Sequence, residues 1–141
     1  MIRRKIICFL FVALFVGLFF FVFNYKQNNP PIIQEINAFR AENNLDPVRA
    51  RKEACDFAAI RAKEAETDWS HDKFMKAVEA GAVSDKYQWY ENLAGDFDTD
   101  HEVVEAWKES SDHREVLLST MKYACVARYN NTWALEGMEP M

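Results

Sequence analysis

Apolar residues follow two regimes along this chain. From Ile6 to Phe23 they run for eighteen residues without a charge. After that they recur three and four apart, or alternate with polar residues. The first regime, as one helix, would span about 27 Å, close to the hydrocarbon thickness of a bilayer. The second predicts a folded domain. Ile33, Ile36 and Phe39 set the stripe of a helix over 32–43, ended by Asn43-Asn44-Leu45-Asp46-Pro47. A second helix is expected over 48–66, with Cys55, Ala58, Ala59, Ala62 and Ala65 buried. Side chains that small let another element approach closely. Ser70 is placed to cap a short helix over 72–80 that stops at Gly81.

Residues 86–94, with Tyr87, Trp89 and Tyr90, have strand character. Thr99 and Glu102 form a capping box ahead of a helix carrying Val103, Val104 and Trp107. Ser110-Ser111-Asp112-His113 interrupts that helix as a corner. Asp112 and Glu115 are the expected caps of the piece that follows. Strands over 123–129 and 132–136 flank Asn130-Asn131, a hairpin signal because Asn tolerates positive φ. Helices first, then a small antiparallel sheet with a helix inserted, make an α+β pattern.

Charge sharpens the division. Arg3, Arg4 and Lys5 precede the apolar run, and Lys26 alone follows it closely. That bias keeps the N-terminus in the cytoplasm and sends the remainder across. A cleaved signal peptide, giving a secreted domain, and an uncleaved anchor share this pattern. The exit residues Phe21 to Lys26 are too bulky for a cleavage site, which favours the anchor. The expected organisation is a single-pass membrane helix in 1–23, a linker in 24–31 whose Pro30-Pro31 pair blocks helix continuation, and an extracytoplasmic domain in 32–141. Beyond Phe23 there are 14 Lys and Arg against 22 Asp and Glu, a formal charge of −8. So acidic a domain argues against nucleic acid as a partner. Cys8, within the apolar run, has no lipid-attachment context.

Two histidines fall where chemistry is available. His71 and His113 both lie at expected helix starts, where the helix dipole favours neutral imidazole, the form that ligates metal or accepts a proton. His101, inside the capping box, reads as solvated. Arg114 reads as pairing with an acid or a helix end.

The opening helix Ile36-Asn37-Ala38-Phe39-Arg40, the Trp69-Ser70-His71-Asp72 stretch, Tyr90-Glu91-Asn92-Leu93-Ala94, the run from Trp107 through Ser110 to His113-Arg114 and Leu117-Leu118, and the closing hairpin with Trp133 occur in that order. Together they resemble the CAP superfamily of cysteine-rich secretory, antigen 5 and pathogenesis-related proteins, above all its bacterial SCP-like extracellular branch. The resemblance covers about residues 33–137. It implies an α-β-α sandwich with a cleft lined by two His and an acid, which here fall on His71, Glu91 and His113. Asn92 and Ser110 adjoin them. The chain departs from the family twice. Ser110 stands where eukaryotic members carry a second cleft Glu, and Cys125-Val126-Ala127 replaces a Gly-x-Gly.

Three readings of the cleft follow. A membrane-tethered binding module for a small molecule, lipid or cell-surface ligand, or for a divalent ion, ranks first. The second is a polar cluster that simply holds helices to the sheet. The third is a hydrolase. It would use Zn²⁺ or another divalent cation on His71 and His113, with Glu91 as third ligand or base, or else Ser110 as nucleophile with His113 as base and Glu91 orienting it. The resemblance carries no shared reaction, so the reading leans away from an enzyme. Cys55 and Cys125 either form a bridge or remain two buried thiols.

Overall fold

The computed structural model describes residues 29–141. The expected membrane helix, and with it Cys8, lies outside the described residues. Among the described residues no helix is long and apolar enough to cross a membrane. Residues 31–141 form one compact unit.

Helix α1, Pro31–Glu42, begins on a proline assigned above to the linker. A first helical position has no intrahelical use for its N–H, so proline's missing donor costs nothing there. Ile32, Ile33, Ile36, Asn37 and Arg40 are its buried residues. Asn44, at φ 59°, turns the chain out. Helix α2, Lys52–Ala65, starts four residues later than expected because the backbone of Val48 and Arg49 is already engaged. The Asn37 carboxamide donates to Val48 O (2.9 Å) and accepts from Val48 N (2.8 Å). Arg49 makes a parallel bridge to Tyr123. The buried stripe of α2 is Ala54, Phe57, Ala58, Arg61, Ala62 and Ala65. Ala59 faces solvent, and Phe57 and Arg61 take places in the stripe instead.

Helix α3, Asp72–Glu79, stops at Gly81 (φ 67°) as its sequence requires. His71, not Ser70, occupies its N-cap, while Ser70 Oγ accepts from Asp72 N at 3.3 Å. Strand β1, Tyr87–Gly95, precedes α4, Asp100–Glu109. Both halves of the Thr99–Glu102 capping box are formed. Helix α5, Ser111–Leu117, is N-capped by Ser110 rather than Asp112, because the chain leaves helical geometry at Ser110 (φ −81°, ψ 125°), two residues early. Strands β2, Tyr123–Tyr129, and β3, Thr132–Pro140, close the chain. β3 runs past the expected end at Glu136 because Gly137 to Pro140 continue to pair with β1 as far as Tyr87.

The sheet is antiparallel in the order β1-β3-β2, which leaves β1 at an edge. Alternation divides its side chains between two layers. Ala94, Ala124, Trp133 and Leu135 pack with Ile33, Ile36 and Trp107 from α1 and α4. On the other face, Trp89, Cys125 and Met138 meet Ala54, Phe57 and Phe74, and Leu93 and Ala134 meet Ala62 and Ala65. This is the expected α+β sandwich. Arg40 ties the layer of α1 together by donating to Leu117 O (2.7 Å) and Ser119 O (2.9 Å) at the C-terminal end of α5.

Cys55 and Cys125 are bridged, with Cα atoms 4.9 Å apart and a separation of 70 positions in sequence. The bridge joins α2 to β2. In the chain-entropy view a loop of this length contributes roughly 4 kcal/mol. The double change Cys55→Ala with Cys125→Ala is therefore expected to lower the urea midpoint of the full chain in detergent. An unchanged midpoint would show that the bridge contributes nothing to stability.

Candidate functional site

The site is built around the edge strand. Glu91 and Asn92 are consecutive on β1, so they point to opposite faces of the sheet. Trp107 pins α4 beside them by donating its indole N–H to Leu93 O at 3.0 Å. The corner at Ser110 and the first turn of α5 follow directly.

On the α2 face the Glu91 side chain has no solvent exposure, and neither does Arg61. Arg61 Nε donates to Glu91 Oε2 at 2.6 Å and Nη2 reaches Oε1 at 3.3 Å. The same guanidinium donates to Glu64 Oε2 (2.6 Å) and to Ser70 O (2.9 Å). Arg61 thus fixes the carboxylate of β1 and the loop that delivers His71. His71 Nδ1 lies 2.6 Å from Glu91 Oε1, and its side chain is 54% exposed. The carboxylate assigns the proton to Nδ1, so Nε2 is the ring nitrogen offered to solvent.

Directly across the sheet from Glu91 stands Glu136. It is fully buried and neither of its oxygens has a hydrogen-bond partner of normal geometry. Burial first, and then the Glu91 carboxylate alongside, push it well above the ordinary carboxyl value of 4.5, with Arg61 acting in the opposite sense. Two buried acids share one guanidinium, and because Arg61 donates to Glu91 and not to Glu136, Glu136 is the one pushed toward the neutral form.

On the opposite face Asn92 Nδ2 donates to His113 O at 2.9 Å, joining β1 to the first turn of α5. Asn92 Oδ1 is buried without a partner. His113 is half-buried, and its pKa lies below the ordinary 6.5. Burial is the main cause, and the nearby His71 adds to it against Asp112. The two imidazoles therefore approach the edge of β1 from different layers and sense each other's charge.

The sequence profile of the CAP family, described as the cysteine-rich secretory protein family, matches residues 33–133. The chain belongs to the CAP family. Solved structures with this fold include an extracellular SCP-domain protein of Bacillus anthracis (TM-score 0.70, 21% identity, 82% of this chain and 41% of that one). A cysteine-rich secretory protein of Staphylococcus aureus has TM-score 0.66 and 18% identity over 77% of this chain and 37% of that one. An outer surface protein of Borrelia burgdorferi has TM-score 0.65 and 17% identity over 78% of this chain and 90% of that one. This CAP chain thus spans about two fifths of the first two relatives and most of the third. Comparison with curated protein sequences finds no match.

Of the site residues expected from sequence, His71 and Glu91 meet directly, and Asn92 meets the backbone of His113. Among the described residues no hydrogen bond joins His113 to Glu91 or Ser110 to His113, and the Ser110 hydroxyl makes no cap. The Ser/His pair of the hydrolase reading is not formed. The three-ligand metal set is not assembled either: no group of three His, Cys, Asp or Glu side chains among the described residues is arranged to hold an ion. His113 meets the Asn92 face of β1 while His71 meets the Glu91 face, and Arg61 in addition occupies both Glu91 oxygens with a positive charge that a cation would have to displace. His101 is exposed in the first turn of α4, as expected, and lies 3.0 Å from Glu35. Arg114 reaches the Lys108 carbonyl at the end of α4.

Arg61 and Glu136 were missed from sequence, yet each left a sign. Arg61 is a lone charge inside the small-residue stripe of α2. Glu136 alternates with Ala134 and Met138 on an inward face.

Two outcomes test this geometry. A raised Glu136 pKa means that stability is fully present below the unfolded value near 4.5 and is lost as pH rises toward the folded value. Glu136→Gln should therefore raise the Tm at neutral pH and flatten the decline that sets in above pH 4.5; a parallel decline in both proteins would contradict a neutral Glu136. For His113, ring titration by NMR should give a pKa below 6.5. Its depressed value means stability that is present above the unfolded pKa and lost as pH falls through the folded one. His71→Ala should move the His113 pKa upward, and an unmoved value would separate the two rings.

Proposed function

We propose that this CAP protein is a membrane-tethered, extracytoplasmic binding module. Its cleft takes a small ligand carrying a hydroxyl or acid group, held between His71 and His113. The supporting observation is the Arg61–Glu91–His71 relay. Glu91 is committed to a resident cation and to one ring nitrogen, so its work is to orient His71 and leave Nε2 free for a ligand. Pre-orientation of a polar group raises affinity by removing the entropy of ordering it. The export signal in residues 1–23, the Cys55–Cys125 bridge, and the extracellular and outer-surface descriptions of the structural relatives support the location.

The test follows both histidine rings by NMR in the full chain while glycerol, lactate, citrate and Zn²⁺ are titrated separately. Saturable, concerted shifts of His71 and His113 with an organic probe, weakened about tenfold by Glu91→Gln, are expected. Shifts with Zn²⁺ alone, lost in both His71→Ala and His113→Ala, would replace this reading with a metal site. The tether predicts retention of the uncleaved chain in the membrane fraction after an alkaline wash, and a soluble chain lacking its first residues would refute it.

A further inference from the structure

Four tryptophans occur in this chain, and three are built into the core. Trp89, Trp107 and Trp133 are each buried, and each donates its indole N–H, to Ser84 O, Leu93 O and Asp100 Oδ1 respectively. Trp69 differs on both counts. It is 58% exposed, and its N–H has no hydrogen-bond partner among the described residues. It nonetheless rests against the backbone. Its ring edge lies on Gly95, so close that a Cβ there would stand 2.9 Å from Cη2 and 3.0 Å from Cζ3. A large aromatic surface costs free energy to leave in water, and this one is seated on backbone rather than folded inward.

Trp69 forms one wall of a cavity of about 820 Å³ between the end of α2, the turn after β1 and the β2–β3 hairpin. The other walls are polar: Glu66, Thr67, Asp96, Asn130 and Asn131. None of His71, Glu91 and His113 lines it. The rim is tied across its gaps. Asp96 N donates to Asn131 O at 3.0 Å, Asn130 Nδ2 donates to Glu66 Oε1, and Arg128 Nη2 donates to Asn131 Oδ1 at 3.3 Å. These contacts leave the Asn131 amide donors and the carboxylate lone pairs of Asp96 available, while the Thr67 hydroxyl, which donates to Glu64 O at 3.3 Å, can still accept.

We infer that this cavity is a saccharide-binding site, separate from the histidine cleft. A pyranose presents a flat C–H face, which stacks on an aromatic ring, and a periphery of hydroxyls, each both donor and acceptor. An aromatic ring in one wall of a cavity otherwise lined largely by amides, hydroxyls and carboxylates supplies both kinds of contact. The free indole N–H supplies a further donor beside the plate. No Lys or Arg lines the cavity and two carboxylates do, so the sugar is neutral or amino-substituted rather than anionic. An extended proline-rich peptide also stacks on tryptophan, but it favours a groove walled by several aromatics, and this cavity has one.

The test uses the full chain in lauryldimethylamine oxide, because maltoside and glucoside detergents would themselves compete. Chitotriose, cellotriose, maltotriose and a proline-rich decapeptide are titrated against tryptophan fluorescence and by calorimetry. At least one trisaccharide is expected to bind with a Kd in the range of about 0.1–5 mM. Trp69→Ala should weaken it by about tenfold or more, and Trp69→Tyr should retain part of the affinity. Gly95→Ala should weaken it as well, by pushing the ring from its seat. Circular dichroism checks that each variant stays folded. No saccharide binding up to about 20 mM, saccharide binding unaffected by Trp69→Ala, or binding of the decapeptide alone would each overturn the inference.

Discussion

Burying Arg61 and Glu91 together removes two charges from water, at a cost of several kcal/mol for each ion in an apolar interior. Their mutual attraction offsets that cost only when geometry is good and the remaining donors and acceptors are used. Here both conditions hold. The guanidinium faces the carboxylate through two nitrogens, and its other contacts go to Glu64 and to the Ser70 carbonyl. One side chain therefore holds α2 to β1 and fixes the entry to α3. The close approach of α2, which the alanines at 54, 58, 62 and 65 allow, is what brings Arg61 within reach. The disulfide fastens the other end of the same helix to β2. Helix α2 is tied to the sheet by an ion pair at one strand and a covalent bond at another.

Glu136 shows what that arrangement costs. A second, fully buried carboxyl faces the pair from the neighbouring strand, alongside the Glu91 carboxylate. It is tolerable only as the neutral acid. The site then carries one negative charge on Glu91 against one positive charge on Arg61, and His71 completes the shell from the solvent side. Were Glu136 ionised, two buried anions would compete for one guanidinium.

The sequence disclosed the elements and the family better than it disclosed the wiring. Hydrophobic spacing, the Thr99–Glu102 box, Gly81 and the Asn130-Asn131 turn are local signals, and each appears in the structure where its chemistry placed it. The errors came where distant residues decide. Asn37 and Tyr123 claim the backbone of Val48 and Arg49 and delay α2. Pairing with β1 prolongs β3. The histidine–carboxylate meeting was legible through resemblance, because the motif carries His71 and Glu91 together. Arg61 and Glu136 belong to no such motif. Their roles depend on which residue stands opposite which in the sheet, and that information is tertiary.

The same wiring bears on the choice between a metal and an organic ligand at the two histidines. A carboxylate between two histidines suggests a cation site when only those three residues are considered. With Arg61 included, the carboxylate already has its cation, delivered by the chain and inaccessible to exchange. What remains unsatisfied faces elsewhere: Nε2 of His71 toward solvent, and Asn92 Oδ1 buried beside the first turn of α5. A pair of imidazoles with no carboxylate to spare is a poor donor set for a hard cation, so any metal there would be one that imidazole suits. Arg61 therefore turns a set of residues that could ligate metal into one that orients a histidine.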